Sequence, residues 1–147
     1  DPQSTVSDLA DIVPLTREYA AQAGFSDRIS TLTGDFNVDR LPAGFDLVFM
    51  SQILHSNSRG ENARLIKQAY NALDAGGQVV IQEFVVNEDR ISPPGPVMFA
   101  LNMLVATEAG DTFTEKEIST WLADAGFADI RRADPETGTT LMMAKKP

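Results

Sequence analysis

Residues 45–56 read FDLVFMSQILHS, a nearly all-apolar run followed by His55, the single histidine of this 147-residue chain. An apolar run without alternation predicts a strand that is buried on both faces, as in a parallel sheet. Ligands of open α/β sheets bind outside the carboxyl ends of the strands, where His55 lies. Because histidine exchanges protons near neutral pH, His55 is a candidate general base. The alternative is a packing or helix-capping histidine.

Outward from this stretch, strand-like and helix-like segments alternate, which predicts an α/β fold in a single domain. We predict strands at residues 4–7, 28–33, 45–50 and 78–86, and helices at 14–23, 61–73 and 97–106. Gly76-Gly77 is expected to end the second helix. A capping box at residues 114–117 predicts a further helix that stops at Gly126. Segments 129–132 and 139–144, joined by a turn-rich linker at 134–138, predict a closing antiparallel hairpin.

Composition excludes several classes of function. The net charge of −9 argues against nucleic acid and against anionic membrane surfaces as partners. With no cysteine and one histidine, the chain has neither disulfides nor the ligands of a zinc site, so no metal is expected. No apolar run is long enough to span a bilayer, and no signal peptide is visible, which together favour a cytoplasmic location.

Polar residues follow the predicted strands at Asp8, Asp35, Ser51 and Glu83. A carboxylate at such a position can accept hydrogen bonds from ribose hydroxyls, although Asp8 could instead cap a helix and Asp35 could form a turn. Glu83 lies in an otherwise apolar strand, where a carboxylate is costly to desolvate without a partner. We therefore expect Glu83 to approach His55, the alternative being that it points to solvent. Neither Gly-x-Gly nor Gly-x-Ser-x-Gly occurs, which disfavours a nucleotide-loop or serine-hydrolase site.

Several short blocks, weak singly, are specific in their order and spacing. They are Gly34-Asp35-Phe36, Phe45-Asp46-Leu47-Val48, Ile53-Leu54-His55, Ala72-Leu73-Asp74-Ala75-Gly76-Gly77, Ile81-Gln82-Glu83 and Ala125-Gly126-Phe127. With these blocks the chain resembles the C-terminal catalytic domain of S-adenosylmethionine-dependent small-molecule O-methyltransferases. It is most similar to their bacterial natural-product, hydroxyindole and caffeate-type branch.

The resemblance implies a class I methyltransferase-like Rossmann sheet that ends in the antiparallel hairpin, with S-adenosylmethionine as cofactor. It also implies a small, aromatic acceptor molecule whose hydroxyl is methylated. The implied cofactor-binding residues are Asp8 at the ribose, Asp35 and Phe36 beside the adenine, and Ser51.

By the same resemblance, His55 is the catalytic base that removes the acceptor proton, and Glu83 is the carboxylate that orients it. Asn102 and Met103 are implied to lie on a substrate-facing helix. The chain departs from the family at Ser56-Asn57, where Asp-Trp is usual, and at Thr112, where a second carboxylate is common.

A larger departure lies at the start, because the chain begins at the family's second strand. The first strand, its glycine-rich loop and the preceding dimerisation domain have no counterpart. We therefore expect residues 1–147 to be a partial, N-terminally truncated S-adenosylmethionine-binding domain, a fragment with two unpaired strand edges that alone binds the cofactor poorly. The full-length protein is expected to be a homodimer.

Two alternatives to methyl transfer stay open. A methyltransferase-like fold can carry out hydroxylation or decarboxylation chemistry, with the cofactor as a structural element. The chain could also be a non-catalytic binding or assembly module that retains His55 and Glu83 without using them.

Overall fold

A computed structural model describes residues 2–135 and 138–147, which divide into two compact units, Asp1–Arg40 and Leu41–Pro147. The first unit is a β-α-β arrangement. Strand β1 (Ser4–Asp8) pairs in parallel with β2 (Ile29–Thr33), and helix α1 (Val13–Gln22) connects them. Pro14 lies in the first turn of α1, where its missing N–H has no intrahelical partner to lose.

The second unit is built on a four-stranded sheet with the order β3-β4-β8-β7. Its strands are β3 (Phe45–Ser51), β4 (Leu73–Glu83), β7 (Ala128–Ala133) and β8 (Thr140–Lys145). Strands β3 and β4 are parallel, whereas β8 is antiparallel to both β4 and β7. The predicted closing hairpin is therefore confirmed. Residues 136 and 137 of its predicted linker lie outside the described residues.

Helices α2 (Arg59–Ala72), α3 (Pro94–Ala106) and α4 (Glu115–Ala125) complete this unit, together with the two-residue strands β5 (Val85–Val86) and β6 (Phe113–Thr114). The predicted capping box at Thr114 is confirmed, since its side chain accepts from the N–H of Glu117 while Glu117 accepts from the N–H of Thr114. Gly126 ends α4 with φ at 104°, a left-handed conformation that suits glycine.

The expected helix stop at Gly76-Gly77 is wrong in position. Helix α2 ends at Ala72, because Leu73 is already extended and begins β4. Gly76 does adopt the left-handed conformation, with φ at 82°, but it does so within β4. The left-handed glycine therefore shapes the start of the strand and not the end of the helix.

The prediction that residues 45–50 are buried on both faces is also wrong. Leu47 is 51% exposed and Phe49 is 57% exposed. Among the described residues of the second unit, β3 pairs only with β4, and among those of the first unit, β1 pairs only with β2. Each of these strands thus has one open edge, as predicted.

None of the described helices is both long enough and apolar enough to cross a bilayer.

Candidate active site

His55 and Glu83 are brought together at the ends of two neighbouring strands. Ser51, the last residue of β3, is in register with Gln82, so β3 and β4 end side by side. His55 lies in the short 3-10 turn Leu54–Ser56 that follows β3, and Glu83 is the last residue of β4. The Nδ1 atom of His55 lies 2.8 Å from Oε1 of Glu83, as the sequence predicted.

The Glu83 carboxylate is fully buried and does not point to solvent. Besides the imidazole, it accepts hydrogen bonds from the N–H of Phe84 at 2.9 Å and from the N–H of His55 at 3.3 Å. A carboxylate costs little to bury only when such donors replace water. The three contacts fix both oxygens, so that Glu83 holds the imidazole in one orientation.

The backbone of His55 is held from the other side by the segment after α3. The N–H of Asp111 donates to the carbonyl of His55 at 3.0 Å. Thr107 connects this segment to the helix, because its hydroxyl donates to the carbonyl of Met103 at 2.7 Å and accepts from the N–H of Gly110 at 2.8 Å. Helix α3 and the histidine turn are thus joined by a short hydrogen-bonded path.

An aromatic wall lies against the histidine ring. Phe99 of α3 contacts His55 edge to face, with ring centroids 4.8 Å apart, and also packs on Phe84 at 4.5 Å. Of the two residues predicted to face the substrate, Met103 is buried and Asn102 is exposed. Because Met103 is one helical turn from Phe99, both residues lie on the side of α3 that is turned toward His55.

Asp8 and Asp35 lie at the same end of the first unit's sheet. Asp8 is the last residue of β1 and is in register with Thr33, so Asp35 follows two residues beyond its neighbour strand. Asp8 accepts from the N–H of Leu9 at 2.8 Å but does not cap α1, whose N-cap is Ile12. The Asp35 carboxylate accepts from the N–H of Asn37 at 2.8 Å, so the turn role considered for it is present. The predicted adenine neighbour Phe36 is half-buried in this turn.

Ser51 belongs to the second unit with His55. It is exposed at the carboxyl end of β3, and its hydroxyl donates to the side-chain carbonyl of Gln82 at 3.0 Å. A hydroxyl at this position can bind a ligand that approaches the strand ends.

Thr112, where the resemblance leads us to expect a second carboxylate in the family, is buried, and the neighbouring Asp111 side chain is directed toward arginines. Arg59 and Arg90 bridge Asp111 and Glu117, with the closest pair at 2.6 Å between Arg90 and Glu117. Burial alone would raise the pKa of Glu117. Hydrogen bonds from the Thr114 N–H and from Arg59, together with the charge of Arg90, outweigh burial and lower that pKa below its ordinary value of 4.5.

A cleft of about 350 Å³ lies beside this ion-pair cluster, and its walls include Arg59, Arg90 and Trp121. No predicted site residue lines it. In the part of the chain that the structure describes, no group of three or more His, Asp or Glu side chains is placed to hold a metal ion.

Two residues around His55 were not predicted, namely Asn62 and Gly110. Asn62 is a polar residue on the apolar face of α2, alongside Leu65 and Ile66, and that mismatch is a signal that sequence inspection can detect. Gly110 carries no such signal, because it matters only through the close approach of the His55 backbone carbonyl, which is distant in sequence.

Residues 2–128 match the model of the O-methyltransferase domain. The chain is 39% identical over 127 residues to 3-hydroxy-5-methyl-1-naphthoate 3-O-methyltransferase of Streptomyces sahachiroi, a match that covers 86% of the chain and 36% of the relative.

Solved methyltransferase structures share the fold. The O-methyltransferase family 2 protein from Planctomyces limnophilus in complex with apigenin has a TM-score of 0.87 at 27% identity, covering 99% of this chain and 44% of that one. Human N-acetylserotonin methyltransferase in complex with SAM has a TM-score of 0.82 at 29% identity, covering 98% and 40%. The predicted α/β methyltransferase-like fold is thus confirmed, and the chain spans less than half the length of these relatives.

Proposed function

The chain belongs to the family of O-methyltransferase domains, and from this we propose that it serves in methyl transfer from S-adenosylmethionine to a hydroxyl group of a small aromatic molecule, with His55 as general base. The observation that carries the proposal is the buried pair of His55 Nδ1 and Glu83 Oε1 at 2.8 Å. It stands at the carboxyl ends of parallel strands, where α/β folds bind their ligands.

Glu83 prepares the histidine to accept a proton. By accepting the Nδ1–H, the carboxylate selects the tautomer whose lone pair is on Nε2. His55 Nε2 then takes the proton of the acceptor hydroxyl, and the oxygen becomes nucleophilic as that bond breaks. The imidazolium that forms is stabilised by the adjacent buried carboxylate. Part of the His55 side chain, 10% of its surface, stays accessible for this contact.

S-adenosylmethionine, when bound, supplies a methyl group on a positively charged sulfur. The residues present fit its nucleoside end, because Asp8 and Asp35 place two carboxylates at one end of a parallel strand pair, and a carboxylate can accept from vicinal ribose hydroxyls. We assign Asp8 to the ribose, Asp35 and Phe36 to the adenine, and Ser51 to a further polar contact. The contribution of these residues is binding and orientation of the two reactants.

An aromatic acceptor is supported by the wall beside the base. Phe99 and Phe84 offer flat apolar surface next to His55, and aromatic rings pair favourably edge to face or offset. The Streptomyces relative is named for a hydroxynaphthoate and the Planctomyces structure holds apigenin. We propose that Met103 borders the same acceptor site, with Asn102 at its exposed margin. A homodimeric state and a cytoplasmic location stay predictions.

The proposal is tested by His55→Ala in the protein at its full natural length. We expect turnover to fall by about 10²–10⁴-fold, the usual contribution of a general base, while calorimetric affinity for S-adenosylmethionine stays unchanged. Gly60→Ala is the control, since this exposed position has nothing within 4 Å of an added Cβ. Turnover of His55→Ala equal to that of the control would remove His55 from the base role.

A cofactor labelled in its methyl group separates the remaining possibilities. A labelled methyl group on an ether oxygen of the product supports O-methylation. Product without label would favour the hydroxylation or decarboxylation alternative, and no product from a panel of hydroxylated aromatic acids and flavonoids would favour a non-catalytic module.

A further inference from the structure

Asn62 is a fully buried amide on the apolar face of α2. An amide in such surroundings is costly unless its donor and acceptor are both paired. Its Nδ2 donates to the carbonyl of Leu54 at 2.9 Å, and its Oδ1 accepts from Nδ2 of Asn57 at 3.3 Å. Both partners lie in the segment that contains His55, so Asn62 connects α2 directly to the histidine turn.

The bond from Asn62 acts on the peptide group immediately before the histidine. The carbonyl of Leu54 and the N–H of His55 belong to one peptide unit, which is planar and rigid. Asn62 holds the carbonyl end, and the Glu83 carboxylate holds the N–H end at 3.3 Å. Rotation of this plane would break both contacts at once. The direction in which His55 leaves the backbone is therefore set from two sides.

A second donor reinforces the carbonyl end. The N–H of Asn57 also donates to the Leu54 carbonyl, at 3.1 Å, so this oxygen receives two hydrogen bonds. The side chain of Asn57 is in turn held by Asn62. The two asparagines and the Leu54 carbonyl are thus connected by three hydrogen bonds.

From this geometry we propose that Asn62 is a positioning residue, which orients the imidazole of His55 by holding the peptide between Leu54 and His55. The proposal rests on the base role of His55 proposed above. Asn62 contacts neither reactant, so it acts on the rate of the chemical step and not on binding. An apolar residue of similar size could fill the same space and would serve stability alone.

The test is Asn62→Leu in the protein at its full natural length, with Asn62→Ala as a second variant that favours the helix should the first fail to fold. We expect kcat to fall by about 10–100-fold, because a displacement near 1 Å can cost about 10²-fold. The KM for the acceptor and the calorimetric Kd for S-adenosylmethionine should change by less than about twofold.

A spectroscopic measurement separates positioning from general destabilisation. In ¹⁵N-histidine-labelled protein, the Nδ1 proton signal of His55, identified by its absence from His55→Ala, should shift or broaden in the Asn62 variants. The control is Ile66→Val, a buried change on the same helix that removes no hydrogen bond. It should lower stability but leave both kcat and the signal unchanged.

The outcomes are distinct. Wild-type kcat and an unchanged His55 signal in the Asn62 variants, or an equal loss of kcat in Ile66→Val, would overturn the positioning role while leaving the base role intact. Full turnover of His55→Ala would instead overturn the proposed function, whatever the Asn62 variants do.

Discussion

Gly110 lies against the carbonyl of His55, and Gly110→Ala is the sharpest perturbation that the site offers. A Cβ added at residue 110 would overlap the His55 carbonyl oxygen and the Thr107 hydroxyl oxygen, at separations that real Cβ atoms do not adopt. Neither oxygen can move freely, because the His55 oxygen belongs to the backbone and the Thr107 hydroxyl donates a hydrogen bond to the carbonyl of Met103. The segment at residues 110–111 must therefore retreat from the histidine turn.

The size of the effect follows from that retreat. Ordinary contact begins near 3.4 Å, so a displacement of about 1 Å is needed. This lengthens the bond from the Asp111 N–H to His55, now 3.0 Å, beyond hydrogen-bonding distance. Overpacking costs about 1–3 kcal/mol and a lost hydrogen bond about 1 kcal/mol, giving an expected loss of about 2–4 kcal/mol in the free energy of unfolding.

Urea denaturation followed by circular dichroism measures this loss, and Gly60→Ala provides the matched control. Residue 60 is exposed in α2 with open space around an added Cβ, so we expect a gain of about 0.4–1 kcal/mol there. In turnover assays of the full natural length, Gly110→Ala should lose about 10²-fold and Gly60→Ala none. Equal stability and equal turnover for the two variants would refute the close contact between residue 110 and the His55 carbonyl.

Three further outcomes are expected. Glu83→Gln places an amide NH₂ group among three N–H donors, so one buried donor loses its acceptor. The free energy of unfolding should therefore drop by about 1–3 kcal/mol, and an unchanged urea midpoint would contradict the hydrogen bonding of Glu83 to these donors. Because the pKa of Glu117 is lowered, its contribution to stability is present above about pH 4.5 and is lost as the pH falls through that lowered pKa. In urea titrations at a series of acid pH values, Glu117→Gln should therefore lose less stability on acidification than the wild type. An equal loss of stability in both proteins would contradict this contribution. Gly126→Ala forces alanine into φ 104° with its Cβ 3.2 Å from the Tyr70 ring, so we expect the free energy of unfolding to fall by about 1–2 kcal/mol in urea denaturation. An unchanged free energy of unfolding would show that the end of α4 relaxes without cost.

The proximity of His55 and Glu83, the proposed catalytic pair, could be predicted from sequence because its signals are local. Glu83 interrupts an apolar strand, and a buried carboxylate requires a partner. His55 follows the preceding strand of a parallel pair, and the ends of parallel strands meet at one edge. Two local rules thus predicted that two residues 28 positions apart approach each other, and in the structure their side chains lie 2.8 Å apart.

The exposure of β3 could not be predicted in the same way. An apolar sequence indicates that a strand can be buried, whereas burial of its side chains depends on what covers each face of the sheet. Leu47 and Phe49 are two residues apart, so they lie on the same face of β3, and both are exposed. The predicted end of α2 was wrong because it also depends on a residue distant in sequence. Leu73 pairs with Phe45 and so joins the sheet before the glycines are reached.

Ser56-Asn57, the departure from the family's usual Asp-Trp, acquires a physical role from these contacts. Asn57 is buried, and its backbone and side chain both serve the Leu54 carbonyl, directly and through Asn62. Ser56 is exposed, and its N–H only closes the turn onto Ile53. The pair therefore supports the histidine through the backbone, and a change at Asn57 should act on turnover in the same direction as a change at Asn62.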